Sequence, residues 1–387
     1  LRYPITSQEW LTKLVSFDTT SRNSNLELIT FVQDYLLWHG LKSKLTHNIK
    51  EKKANLFVSL PASDGSINGG LILSGHTDVV PIDGQTWETN PFVATIKDDR
   101  IYGRGTTDMK GFIAVVLALL PEFKKMTLAK PLHFAFSYDE EVGCHGAVHL
   151  IDAIVAEGIK PDACIVGEPT EMRPIVAHKG INLFRCRLHG NAAHSSLTNK
   201  GCNAIEYAAM LICWIRELAS QIREQGPNDP HFDVPFTTVS TNMIQGGNAY
   251  NTIPELCELY FEFRNLPITN CHTISNAIQS YIQDNLLPKM RAEYPDATIE
   301  LDSLAAVPSF EASEEASITQ ALRKLTEENE ILKVGYATEA GLFQQAGIPT
   351  ILCGPGSIEQ AHRANEYITI EQLEKCESFL RDLILKN

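Results

Sequence analysis

Six side chains in this sequence could do chemistry together: His76, Asp108, Glu140, Glu141, Glu168 and His362. Five of them, His76, Asp108, Glu141, Glu168 and His362, make a nitrogen and oxygen donor set without sulfur. Imidazole with carboxylate suits zinc, or a related divalent first-row metal, better than calcium or magnesium. A single catalytic zinc needs fewer protein donors than this. Two metals sharing a bridging carboxylate would use all five, and metal pairs about 3.5–4 Å apart are typical of hydrolases. Asp78 follows His76 by two residues in "GHTD", so along an extended segment it points to the same side. There it could fix the imidazole tautomer. Each residue also has a plainer reading. Asp108 in "GRGTTDMKG" could cap the following helix, Glu168 in "GEPT" could be a turn acid, and His362 stands in a polar loop. The glycine-rich run before Asp108 lacks the GK[ST] ending of a phosphate loop.

The weight of the set lies in where its members stand. Four segments share one design, a short apolar run followed at once by polar residues: "GLILSGHTDVVP", "LHFAFSYDEE", "DACIVGEPTE" and "IPTILCGPGS". Helical patterns such as "GFIAVVLALLPEFKKM" and "GAVHLIDAIVAEG" lie between them. Strands alternating with helices predict an α/β fold with a doubly wound, mainly parallel sheet. Ligands of such sheets bind outside the carboxyl ends of the strands, where the polar clusters fall. From Ile181 the order changes to strand, helix, strand, strand, helix, strand, the βαββαβ order of a ferredoxin-like unit. The sequence thus predicts a discontinuous metal-binding catalytic domain, 1–179 with 305–387, carrying an inserted domain at 180–304.

At 387 residues the chain is long for one core, which favours two domains. Its net charge of -14 argues against nucleic acid or an anionic membrane as partner. No continuous apolar stretch is long enough to span a bilayer. The start, "LRYPITSQEW", shows no charged region followed by an apolar run, so no signal peptide is expected. Nine scattered cysteines without a CxxC pair suggest reduced thiols in a cytoplasmic protein.

The stretches "SGHTDVVP", "GRGTTDMKG", "DEEVG", "GEPT", "HSS" and "GPGS…AH" together resemble the M20 metallopeptidase family of di-zinc amidohydrolases. The resemblance covers nearly the whole chain. The branch it is most similar to is that of the acetylornithine deacetylases, through "GEPTEMRPIVAHKG", "FDVPFTTVSTNMIQGGNAYNTIP", "YATEAGLFQQ" and "CGPGSIEQAH". Other branches, such as succinyl-diaminopimelate desuccinylases, acetylcitrulline deacetylases and dipeptidases, are the alternatives. A non-catalytic binding module of the same fold would be expected to have lost the base or a ligand, and here all are present.

The resemblance implies two Zn2+ per subunit, with Co2+ or Mn2+ as possible substitutes. His76 and Glu168 would hold one, Glu141 and His362 the other, and Asp108 would bridge them. Glu140 would be the general acid and base, and the peptide after Asp108 would be cis. His194 of "AAHSS" would stabilise the oxyanion, in relatives often from the partner subunit, which implies a homodimer through the inserted domain. Asn251, Arg264 and the backbone near Gly356 would hold a small N-acyl amino acid. Glu339 in "ATEAG" is a candidate partner for a substrate ammonium, or equally a helix-start acid.

Overall fold

The strand Leu71–His76 is buried along its whole length, because neighbouring strands flank it on both sides and helices pack nearby. A strand in that position has no polar face, which is why "LILSGH" is a continuous run and not an alternating one. The computed structural model describes residues 3–385. It divides into two compact units.

The first unit contains residues up to Ala177, Glu311–Leu332 and the chain from Thr338 onward. Its central sheet has six strands in the order Lys44–His47, Ala54–Leu60, Leu132–Ser137, Leu71–His76, Ala163–Val166, Thr350–Leu352. The last four run parallel, and the first two add an antiparallel edge. All four parallel strands therefore end on one side, at His76, Ser137, Val166 and Leu352.

The helix Gly111–Phe123 is apolar almost all round and almost wholly buried, as a helix inside a core must be. It packs against the helices Ser7–Val15 and Ile370–Leu385. A capping box starts Ser7–Val15, with the Thr6 hydroxyl accepting from the Glu9 amide and Glu9 bonding back to the cap.

The second unit is His178–Phe310 with Lys333–Ala337. It thus ends later than the expected residue 304. It also takes in a segment with no sequence signal, tied down by the Lys333–Asp229 ion pair at 2.7 Å and by Arg264 donating to the Gly335 carbonyl. Its sheet runs Thr238–Gly246, Leu256–Arg264, Ile181–His189, Thr298–Val307, antiparallel throughout. In the two central strands residues alternate strictly: Phe184, Cys186, Leu259 and Phe261 face a core roofed by the helices Ala204–Gln225 and Cys271–Ser280. On the other face Arg185 pairs with Asp302 and Arg187 with Glu300.

Candidate metal centre

The loops that leave the parallel strands of the first unit bring the five ligand-type residues together. His76, Asp108 and Glu168 each offer a donor atom, all within 4.8 Å of one another, and so do Asp108, Glu141 and His362. Asp108 belongs to both groups and divides its oxygens between them. Its Oδ1 lies 3.1 Å from His76 Nε2 and its Oδ2 lies 3.2 Å from His362 Nε2. Glu141 Oε2 is 3.1 Å from the same His362 nitrogen. Glu140 Oε2 and Glu168 Oε1 each stand 4.0 Å from His76 Nε2.

Local backbone geometry makes this possible. The strand before Glu140 stops at Ser137, and Asp139 has a left-handed φ of 54°. That break in the strand lets two successive glutamates reach one pocket, which a regular pleat forbids. Asp139 itself is ion-paired with Lys53, which also donates to the Ser21 carbonyl. At the next strand end Gly167 precedes Glu168, and a Cβ there would stand 2.0 Å from the Phe112 ring. Only glycine lets this strand end lie against the buried helix.

The electrostatics are those of a cation site. Burial pushes Glu140 and Glu168 well above the usual carboxylate range, and neighbouring acids add to the effect. Burial and the charge of Asp108 push Glu141 up to about 7. Burial opposes ionisation of Asp108 too, yet His362 and His76 hold it below its ordinary value. Glu141 Oε1 and Glu168 Oε1 are buried without a hydrogen-bond partner. Crowded, desolvated carboxylates with unmatched oxygens call for positive charge, and divalent cations held between these residues would supply it.

His76 Nδ1 lies 2.9 Å from the Asp78 carbonyl oxygen, to which it donates. This leaves Nε2 facing Asp108 and the pocket. The Asp78 carboxylate is 3.7 Å from Nδ1. The expectation that the Asp78 side chain fixes the tautomer is therefore corrected: its main chain does. The strand ends at His76, so the alternation used to place Asp78 no longer applies two residues on. The side chain instead accepts from the amides of Glu140 at 3.1 Å and Glu141 at 3.3 Å, and from the Ser21 hydroxyl at 2.7 Å.

The profile of peptidase family M20/M25/M40 matches residues 72–386. The chain belongs to this family. Among its relatives, the acetylornithine deacetylase of Pasteurella multocida (strain Pm70) is 35% identical over 370 residues, 95% of this chain and 93% of that protein. The acetylornithine deacetylase of Edwardsiella ictaluri (strain 93-146) is 34% identical over 93% of this chain and 91% of its own. Among solved structures, a tripeptidase of Staphylococcus aureus superposes with a TM-score of 0.75 at 20% identity, covering 99% and 98% of the two chains. An M20 family metallo-carboxypeptidase of Sulfolobus solfataricus gives 0.73 at 18%, covering 98% of each. This M20 chain is accordingly a hydrolase with the fold of those peptidases, and its Asp108–Met109 peptide is cis, as the resemblance implied.

Glu339 and Gly356, both considered for substrate contact, make internal contacts, and Glu339 stands at the start of the helix Ala340–Gln345. Glu339 is wholly buried, and its two carboxylate oxygens accept from the hydroxyls of Ser74 and Ser137. It braces the neighbouring parallel strands Leu71–His76 and Leu132–Ser137, and its carboxylate is closed off from the surface. Gly356 donates its amide to Gln372 Oε1 at 3.1 Å. Its role is close approach: a Cβ would stand 2.0 Å from the Thr107 hydroxyl.

The remaining expected site residues lie in the second unit. His194 is exposed, its Nδ1 is 2.8 Å from the Ser196 hydroxyl, and the Ser195 amide donates to the Asn251 carbonyl. His194 and Asn251 therefore lie at one small two-stranded sheet, in which Ala193–His194 pairs with Thr252–Ile253. Arg264 is elsewhere, at the far end of the strand Leu256–Arg264, roughly 26 Å along at 3.3 Å per residue. It donates to Glu262 at 3.0 Å.

No pattern in the sequence marks Arg104, Glu366 or Ser21 as parts of the centre. All three are buried. Glu366 accepts from Arg104 at 2.8 Å and from the amides of Gly105, Thr107 and Asp108. The nearest signal was Glu366 standing four residues after His362 in "HRANE".

Proposed function

We propose that this M20 enzyme hydrolyses the amide bond of N2-acetyl-L-ornithine to acetate and L-ornithine, a step of arginine biosynthesis. The convergence of two ligand triads on the shared Asp108, with Glu140 beside them, carries the hydrolytic reading. The amino-acid preference is supported by relatives named acetylornithine deacetylase at 35% and 34% identity over nearly the whole chain.

In this reading His76 and Glu168 hold one divalent cation, Glu141 and His362 the other, and Asp108 both. Zinc fits the donor set, and cobalt or manganese would too. When bound, such a pair supplies an acidified water and polarises the scissile carbonyl. Glu140 takes the proton of the attacking water and returns it to the departing amine nitrogen. Asp78 holds the Glu140–Glu141 turn through its two amides. His194 donates to the developing oxyanion, Asn251 contacts the substrate, and Arg264 meets its carboxylate, for which a guanidinium fork is suited.

His194 lies in the two-stranded sheet that leads into the start of the strand Leu256–Arg264, and Arg264 stands at that strand's other end. Both can serve the same small substrate only if they come from two copies of the chain. This supports a homodimer through the second unit. The strand Thr238–Gly246 is at the edge of its sheet and exposes Met243 and Ile244, a surface suited to pairing. Nine free cysteines, seven of them buried, support a reducing cytoplasmic setting.

A substrate panel on the zinc- or cobalt-supplemented protein tests the reading. N2-acetyl-ornithine should be hydrolysed with a kcat/KM above those of N-succinyl-diaminopimelate, N-acetyl-citrulline and dipeptides. Equal or better turnover of any of these would overturn the specificity. Metal uptake without turnover of any would favour a binding module of the same fold.

A further inference from the structure

His362 is the least supported of the five ligand-type residues. Its side chain is 54% exposed and its φ is 61°, so neither burial nor a regular element fixes it. Its position depends on its backbone. The His362 carbonyl accepts from Gln85 Nε2 at 2.8 Å. Gln85 Oε1 in turn accepts from Arg104 NH2 at 2.6 Å and from the Trp87 indole at 3.1 Å. The other Arg104 nitrogen, NH1, reaches the Arg363 carbonyl at 3.3 Å and Glu366 Oε2 at 2.8 Å.

The same glutamate sets the other side of the pair. Glu366 Oε1 accepts from the amides of Thr107 at 2.9 Å and Asp108 at 3.2 Å, and Oε2 from Gly105 at 3.0 Å. Arg104 and Glu366 are each 1% exposed. One buried ion pair thus grips the Asp108 loop by three amides and the His362 loop through Gln85 and Arg363. A buried pair of this kind adds little net stability, but it fixes geometry, since moving either partner leaves an uncompensated charge.

We propose that Arg104, Glu366 and Gln85 are positioning residues that set the spacing between Asp108 Oδ2 and His362 Nε2, and that the Gln85 contact with the His362 loop controls how tightly the second cation binds while leaving the first unaffected. The proposal rests on the two-cation reading. The first group, His76, Asp108 and Glu168, has its own supports: His76 stands at a strand end and donates to the Asp78 carbonyl, and Glu168 follows Gly167 at another. No hydrogen bond of the Gln85 bridge reaches His76 or Glu168.

The test titrates the metal-free full chain with Co2+ against a chelating indicator, following cobalt absorption, and needs no turnover. The wild-type chain should bind in two steps. His362→Ala and Glu168→Ala identify which step belongs to which group. Gln85→Ala and Glu366→Gln should weaken the step that His362→Ala abolishes by roughly 10- to 100-fold, the usual effect of removing an outer support. In Gln85→Ala the step that Glu168→Ala abolishes should be unchanged, whereas Glu366→Gln, which loosens the shared Asp108, should weaken that step as well. Gln85 is half-buried in a surface loop, so its variant separates positioning from folding, with thermal unfolding of the metal-free protein as the check. Unchanged second-step affinity in both variants, or an equal loss of both steps in Gln85→Ala, would overturn the proposal. A wild-type chain that takes up one cation would overturn the two-cation reading itself, and the proposal with it.

Discussion

The Asp78 carboxylate accepts the backbone N–H of Glu140 at 3.1 Å and that of Glu141 at 3.3 Å. One buried side chain therefore sets the turn that carries the proposed proton carrier and a proposed ligand. Asp78→Asn removes the charge and half the acceptor capacity. Hydrogen bonds to a charged group contribute about 1.5–3 kcal/mol each, so the variant should unfold at lower temperature. Its kcat should fall further than its KM rises. Thermal unfolding and steady-state kinetics on the same preparation check this. Wild-type kcat in the variant would remove Asp78 from the account.

The adjacent glutamates should separate cleanly. Glu140→Ala should keep its metal content and lose about 10²- to 10⁴-fold in kcat, the usual scale for a general acid–base group. Glu141→Ala should lose metal, because its Oε2 faces His362. Metal analysis after dialysis distinguishes the two, and the opposite pattern would reverse the assignment.

His194 is exposed and makes no core contact that its loss would break. His194→Ala should therefore unfold like wild type yet lose turnover. If the residue acts across a dimer, mixing this inactive variant with inactive Glu140→Ala under subunit exchange should restore activity. Each mixed dimer then has one site with both groups. Absence of restoration, with exchange shown by mass, would place His194 within its own chain's site or outside the mechanism.

Away from the centre, Asp229 should leave a mark on acid stability. Burial raises its pKa, but the Lys333 ammonium and the His231 amide and ring pull it down to about 2. A folded value below the ordinary 3.8 means that the stabilisation is present above the unfolded pKa and is lost as pH falls through the folded one. Asp229→Asn should therefore lower the unfolding temperature at pH 6, and the difference from wild type should shrink between pH 4 and about pH 2. A constant difference across that range would contradict the assignment.

The sheet and its polar edge were legible because they follow from pattern. Apolar runs ending in His76, Glu140 and Glu168 could only be buried parallel strands, and their carboxyl ends had to share a side. The strict alternation of "LFRCRLH" and "LCELYFEFR" likewise marked a one-sided sheet. What pattern could not reach were the side chains that act through others. Glu366 and Arg104 are ordinary surface residue types, and only the fold buries both. Glu339 sits among small apolar residues, which signalled burial, but nothing in the chain pointed to Ser74 and Ser137 as its partners. Asp78 was placed by strand alternation two residues beyond where the strand stops.

The central claim is that Asp108 is shared between two cations. The direct measurement is anomalous X-ray scattering at the zinc edge from crystals of the zinc-loaded protein. The account predicts two peaks about 3.5–4 Å apart, one beside His76 and Glu168, the other beside Glu141 and His362, with Asp108 between them. A single peak, or two peaks with Asp108 touching only one, would contradict it.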